Sequence, residues 1–280
     1  IWLFKMKNTV LLHLDHAPNY REQFLRQLGE KCDLIVLAHP CHLDNLSPPS
    51  ERKKYKYHEL KYVGNKIRFS KDFKKFIKKY NPNIICVALN LRYPARVITF
   101  LKDKSLQKRW VWWGQIYGRN NYSFINRFKK FLIKKSVGTL VYTEEIKDKL
   151  SLNQVESFNN SLFSINDFVK LEQKLDKKIN CLFVGRPQKR KRLELLFKLA
   201  YERDDIRVRL VGPGMEEFFK SNFKPSNLEL YQAAYGKHLK KHFEWSNLIV
   251  NPGHVGLLVM NAATHCRPIV INNNVDHAPE

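Results

Sequence analysis

Three glycine-bearing turns in the last hundred residues combine the residue types that hold phosphate. In CLFVGRPQKRKRLELLF, an apolar run ends at Gly185, and Arg186 and Lys191 follow five residues apart across a turn. Two cations so placed can converge on one diphosphate and stabilise the charge that develops on a departing nucleotide. VRLVGPG ends a second apolar run at Gly212 and Gly214. In VNPGHVGLLVMNAATHCRPIVIN, Gly253 and Gly256 precede a helical pattern, where backbone amides and the helix dipole favour an anion. Asn261 follows Gly253 by eight residues, about two turns, and is expected on the helix face of the same site.

A second group lies near the start of the chain. Asp15 and His16 close the first apolar run, where a general base can stand at a cleft edge, and Tyr20 and Arg21 follow within reach of an acceptor. No D-x-D pair is present, so diphosphate neutralisation is assigned to Arg and Lys and no metal is expected. His238, His242, His254 and His265 lack carboxylate or thiolate neighbours at ligand spacing, apart from Cys266. The alternation of Trp110, Trp112 and Trp113 fits a packed strand better than a stacking platform.

The elements that must position these residues alternate. Strands are expected at 9–15, 32–39, 83–90, 109–115 and 138–143, with helices at 20–31, 71–80, from 94 and at 122–135 between them. The Pro- and charge-rich stretch 40–57 reads as a long loop. Periodicity fails after Leu150, and a second alternating set begins with INCLFVG, its first helix expected from Lys191. Short connections between strand and helix imply parallel sheets with helices on both faces. The expected class is therefore α/β, with two Rossmann-like domains facing a cleft: residues 1–158, a linker at 159–178, and residues 179–280.

The ordered set of a strand ending in GR-x4-K, a strand ending in VGxG, a strand leading to PGxxGL-x3-NA and then RPIV resembles the donor domain of GT-B fold glycosyltransferases, the large retaining family that uses nucleotide sugars. The resemblance covers most of 180–280. DHAPNYREQFLRQL is similar to the acceptor-side loop and first helix of bacterial polysaccharide glycosyltransferases, and WWGQIYGRN to a W-G-H-G turn, with Gln115 at the histidine position. The resemblance implies that Arg186 and Lys191 hold the donor diphosphate, that Gly256 and Leu257 lie beside the nucleotide, and that Gln115 belongs with the acceptor residues. Glu280, the last residue, is grouped with the nucleotide side. It further implies a UDP- or GDP-linked sugar donor, a glycan or lipid-linked acceptor in bacterial surface polysaccharide or lipopolysaccharide synthesis, and a retaining, metal-independent transfer. Two departures stand out: Gly253 and Asn261 occupy positions where many members carry glutamates, and the chain stops after a strand where the family usually continues. A C-terminally truncated second domain is expected on that ground. A catalytically silent relative acting as a binding or scaffold protein of the same pathway is the alternative.

Charge points to a partner. Fifty Lys and Arg against 26 Asp and Glu give +24, and residues 1–170 alone hold 32 basic and 14 acidic side chains, a net +18. KKFIKKY and RFKKFLIKK set apolar and basic residues at helical spacing, which suits an anionic membrane surface. A nucleic-acid reading draws on net charge only. No apolar run reaches the roughly 18–20 residues of a membrane span. Met6 reads as the start, without a signal peptide, and five isolated cysteines with no C-x-x-C fit a reducing cytoplasm. The expected location is the cytoplasmic face of the membrane, peripherally bound.

Overall fold

The computed structural model describes residues 8–44, 46–64, 67–70, 72–114, 116, 124–158, 162–171, 177–219, 224–275 and 277. The chain divides into two compact units, Ile1–Leu162 and Phe163–Glu280. Both are α/β with parallel sheets.

In the first unit the strands are β1 (Thr9–His16), β2 (Asp33–His39), β3 (Lys56–Glu59), β4 (Ile84–Ala88), β5 (Trp110–Trp113), β6 (Gly138–Val141) and β7 (Val155–Ser157). They form one sheet in the order β3-β2-β1-β4-β5-β6-β7, with every pairing parallel. The helices are α1 (Glu22–Lys31), α2 (Phe73–Tyr80), α3 (Pro94–Lys102), α4 (Lys104–Gln107), α5 (Phe124–Lys134) and α6 (Glu144–Leu150). Because successive side chains of a strand point to opposite faces, the apolar runs supply two cores at once. Leu11, Ile35, Ile85, Val87, Trp110 and Trp112 pack on one face. Leu12, Leu34, Val36, Cys86 and Trp113 pack on the other. The tryptophans are thus core residues, as their alternation predicts.

Three elements exceed the sequence expectation. β3 lies at the end of the expected loop; its charged sequence KYHE suits an edge strand, which needs only one neighbour and one packed face. α6 starts from Thr143, whose side chain accepts from the Ile146 amide, and the short strand β7 follows it as the opposite edge.

In the second unit, β8 (Ile179–Val184), β9 (Ile206–Val211), β10 (Leu228–Tyr231), β11 (Leu248–Asn251) and β12 (Ile269–Ile271) form a parallel sheet in the order β10-β9-β8-β11-β12. α7 (Glu194–Glu202), α8 (Met215–Phe218), α9 (Gly236–Trp245) and α10 (Leu258–Thr264) connect them. Phe183, Leu193, Val208, Leu210, Phe243 and Ile249 form the core. α7 begins three residues later than the spacing predicts. Lys189–Lys191 instead form a 3-10 turn and Arg192 is left-handed at φ 53°. The helix then starts at Glu194, whose carboxylate suits the positive end of the helix dipole.

None of the five cysteines is in a disulfide. Among the described residues, no helix is long and apolar enough to cross a membrane.

Candidate active site

Strand order places the ligand crevices. In an open parallel sheet, connections leave in opposite directions where the order reverses, opening a crevice at the carboxyl ends of the two strands involved. In the first unit these strands are β1 and β4, and in the second β8 and β11.

At the first crevice a cavity of about 510 Å³ is lined by Asp15 and His16 at the end of β1, Asn90 and Arg92 after β4, and Trp113 at the end of β5. Tyr20, Arg21, Lys129 and Tyr142 complete its polar and aromatic wall. Asp15 is held from both sides: Arg96 pairs with one carboxylate oxygen, and Asn90 donates to the other at 2.7 Å. Arg96 is 1% exposed and also donates to the Ala88 carbonyl at 3.0 Å and the Leu14 carbonyl at 2.9 Å, so it ties β1 to β4 beneath the cavity floor. Its guanidinium lies 4.1 Å from the Tyr93 ring centroid.

His16 bridges two partners of opposite kind. Its Nδ1 lies 3.2 Å from the His39 carbonyl, and its Nε2 lies 3.4 Å from Arg68 Nη1. A carbonyl only accepts and a guanidinium only donates, so Nδ1 faces an acceptor and Nε2 a donor. Arg68, itself buried, also donates to the Tyr93 hydroxyl at 3.0 Å. Behind these groups, His13 and His39 are buried, with ring centroids 6.1 Å apart. Burial, reinforced by the charge of Arg96, pushes His13 well below the usual histidine range and His39 down to about 4. Lys129 donates to the Ile116 carbonyl at 2.8 Å, and burial lowers its ammonium below the usual lysine range. Arg21 stands 5.3 Å from the Trp113 ring centroid, presenting a cation and an aromatic face side by side.

The second crevice is built from backbone. Lys191 Nζ donates to the His254 carbonyl at 2.5 Å, and the His254 amide donates to the Arg190 carbonyl at 2.9 Å. The turn after β8 and the loop after β11 are therefore stitched together. Glycine is required at their contact, because a Cβ on Gly253 would lie 2.2 Å from the Arg190 carbonyl oxygen and 2.5 Å from the Lys191 carbonyl carbon. Gly212 is in the same position one strand over, where a Cβ would sit 2.0 Å from the Gly185 carbonyl oxygen. Asn251 is fully buried and braces the loop; its Oδ1 accepts from the Gly253 amide at 3.4 Å, and its Nδ2 donates to the His254 carbonyl at 3.4 Å. Arg186 follows directly on Gly185 and is exposed.

The structure brings Asp15, His16, Tyr20 and Arg21 to one cavity, and Arg186, Lys191, Gly185, Gly212 and Gly253 to the carboxyl end of the second sheet. Gly214 is left-handed at φ 71° and caps α8, while Gly256 and Leu257 lead into α10. Asn261 is placed differently from its expected register. α10 starts only at Leu258, so Gly253 and Asn261 do not share a helix, and the Asn261 Nδ2 donates to the Leu257 carbonyl at 3.1 Å. Gln115 and Glu280 lie outside the described residues. Sequence reasoning missed Asn90, Arg96, Arg68, Lys129 and Asn251. A lone arginine inside the apolar helix PARVITFLK was the available signal for Arg96. Among the described residues, no group of three or more His, Cys, Asp or Glu could hold a metal ion.

Solved structures share this architecture. Anabaena HepE in complex with UDP-glucose superposes with a TM-score of 0.62 at 12% identity, over 94% of this chain and 80% of that one. The fold is that of GT-B glycosyltransferases. CalG4, the calicheamicin glycosyltransferase, shares the GT-B fold with a TM-score of 0.55 at 10% identity, over 96% of this chain and 80% of that one. A point mutant of S. aureus TarM in complex with UDP reaches 0.51 at 16% identity, over 78% of this chain and 48% of that one. No protein-family model and no curated protein matches the sequence.

Proposed function

We propose that this protein transfers a sugar from a UDP- or GDP-linked donor to a glycan or lipid-linked acceptor in the synthesis of a bacterial surface polysaccharide. The observation that carries the reading is the stitched junction at the carboxyl ends of β8 and β11. There, glycine contacts let a turn bearing Arg186 and Lys191 press against the loop after β11. Arg186 and Lys191 take the role of diphosphate clamp, neutralising the leaving nucleotide without a metal. The GT-B fold supports this assignment, as does the UDP-glucose bound by the Anabaena neighbour.

The cavity at β1 and β4 takes the acceptor. Asp15, fixed by Arg96 and Asn90, orients acceptor hydroxyls. His16 stands on the same wall with its Nε2 facing Arg68, while Tyr142 provides an aromatic face for a sugar ring. The net +18 of residues 1–170 favours work at an anionic membrane on its cytoplasmic side, with peripheral binding. The resemblance to retaining members makes retention of anomeric configuration the expected outcome.

The test is a panel of radiolabelled UDP- and GDP-sugars with lipid-linked and glycan acceptors, scored for transfer and for donor hydrolysis. Transfer from at least one donor, with product anomeric configuration retained by NMR, is expected. Absence of both transfer and hydrolysis overturns the enzymatic reading. The scaffold alternative, favoured by the uncharged Gly253 and Asn261, then requires nucleotide binding by calorimetry without turnover.

A further inference from the structure

The opposite end of the first unit's sheet carries a second concavity that the sugar-transfer reading does not use. About 450 Å³ in volume, it is lined by Lys74 and Lys78 of α2, Lys102 of α3, and Arg109 at the entry to β5. Asp103 is its one carboxylate, against those four cations. That carboxylate serves its own chain, accepting from the Ser105 amide at 2.9 Å, the Ser105 hydroxyl at 2.6 Å and the Leu106 amide at 3.3 Å. These bonds, the Ser105 hydroxyl first, hold its pKa below the usual range, so it stays a capping anion of α4.

The cations are disposed differently. Lys74 and Lys78 lie four apart on α2, hence on one helix face. Among the described residues neither they nor Lys102 pairs with a carboxylate, whereas neighbouring Lys75 pairs with Asp72 at 3.1 Å. Arg109 is pre-set, because its Nη1 donates to Asn81 Oδ1 at 2.9 Å and to the Pro82 carbonyl at 2.7 Å. Asn81 is itself held left-handed at φ 36° at the end of α2. Four like charges around one hollow repel one another, and a multiply charged anion removes that repulsion while gaining charge-assisted hydrogen bonds. Ile77 and Leu106 supply apolar wall for a small organic body attached to it.

We propose that this concavity is a binding site for a phosphate-bearing anion, separate from the nucleotide and acceptor crevices. It sits at the strand entries of β4 and β5, whereas the acceptor cavity sits at their exits. The phosphate can belong to a free solute or to a lipid headgroup, and two probes separate these sources.

The experiment uses the full chain saturated with UDP, to occupy any nucleotide crevice. Inorganic pyrophosphate is titrated by calorimetry, and co-sedimentation is measured with vesicles of phosphatidylglycerol in phosphatidylcholine against phosphatidylcholine alone. A site variant, Lys74→Gln with Lys78→Gln and Lys102→Gln, is compared with a control of equal charge, Lys31→Gln with Lys134→Gln and Lys237→Gln. All six lysines are exposed, and thermal melts confirm folding. An affinity loss of about tenfold in the site variant but not the control supports the site. If the loss concerns pyrophosphate, the ligand is a free solute; if it concerns phosphatidylglycerol vesicles, a headgroup. Equal losses in both variants mean diffuse electrostatics and overturn the proposal. So does absence of binding by the wild type, or a site variant that behaves as wild type. These readouts hold whether or not UDP binds, so failure here is distinct from failure of the sugar-transfer reading.

Discussion

The two sheets share one strand order around their reversal point, yet their exits are built from different materials. At β1 and β4 the crevice is made of side chains: a buried guanidinium fixes a carboxylate, a second one faces a histidine, and aromatic rings close the wall. At β8 and β11 it is made of backbone, with glycines in contact and a lysine donating to a carbonyl. Under the proposed sugar transfer, the difference matches what each crevice would recognise. Diphosphate is common to all nucleotide sugars and is held by general cation and amide chemistry, whereas an acceptor glycan is distinguished by the placement of its hydroxyls, which directional side chains can read.

This contrast can be broken most severely at Arg96. Arg96→Met leaves Asp15 without its buried partner and β1 untied from β4, and roughly 3–5 kcal/mol of stability should be lost in urea denaturation. A loss below about 1 kcal/mol would mean that the ion pair does not organise the crevice. Next in size is Gly253→Ala. The added methyl collides with the Arg190 and Lys191 backbone, and we expect a cost of about 1–3 kcal/mol together with weaker UDP binding. Unchanged UDP affinity would show that the stitched junction is not needed for the nucleotide.

A smaller effect should appear on acidification, led by the two histidines buried in the side-chain-built unit, with burial also lowering His242 and His265 in the second. His13 and His39 are held neutral by burial, with His39 titrating at about 4 rather than 6.5. As pH falls below 6.5, the unfolded chain takes up protons that the folded rings refuse, so stability is full above that value and declines toward pH 4. Each unfavourable proton contributes up to about 1.4 kcal/mol per pH unit. Urea melts at pH 7 and pH 5 should show this decline, and His39→Asn should flatten it. An unaltered slope in that variant would place the acid sensitivity elsewhere.

Much of the architecture was legible because buried parallel strands must be apolar on both faces. Runs such as TVLLHLDH and INCLFV admit few other readings, and the glycines that end them mark close backbone approach. Edge elements were less legible. β3 carries KYHE and needs burial on one side only, so its pattern is indistinguishable from a loop. The crevice divides in the same way. Asp15 and His16 end a strand and Tyr20 and Arg21 follow it closely, so sequence alone could place them. Arg96 and Arg68 reach the crevice from 81 and 52 residues away, and only the tertiary packing brings them there. The register of Asn261 went astray because nothing in PGHVGLL marks where the helix begins, and the chain runs on past Gly253 before α10 starts at Leu258.

On the proposed function, the cations after β8 hold a nucleoside diphosphate. Calorimetric titration of UDP into the wild-type protein and into Arg186→Ala with Lys191→Ala tests it most directly. Charge-assisted bonds of roughly 1.5–3 kcal/mol each predict saturable binding by the wild type and a loss of about a hundredfold or more in the double variant. Equal affinity of the two proteins for UDP would contradict the account.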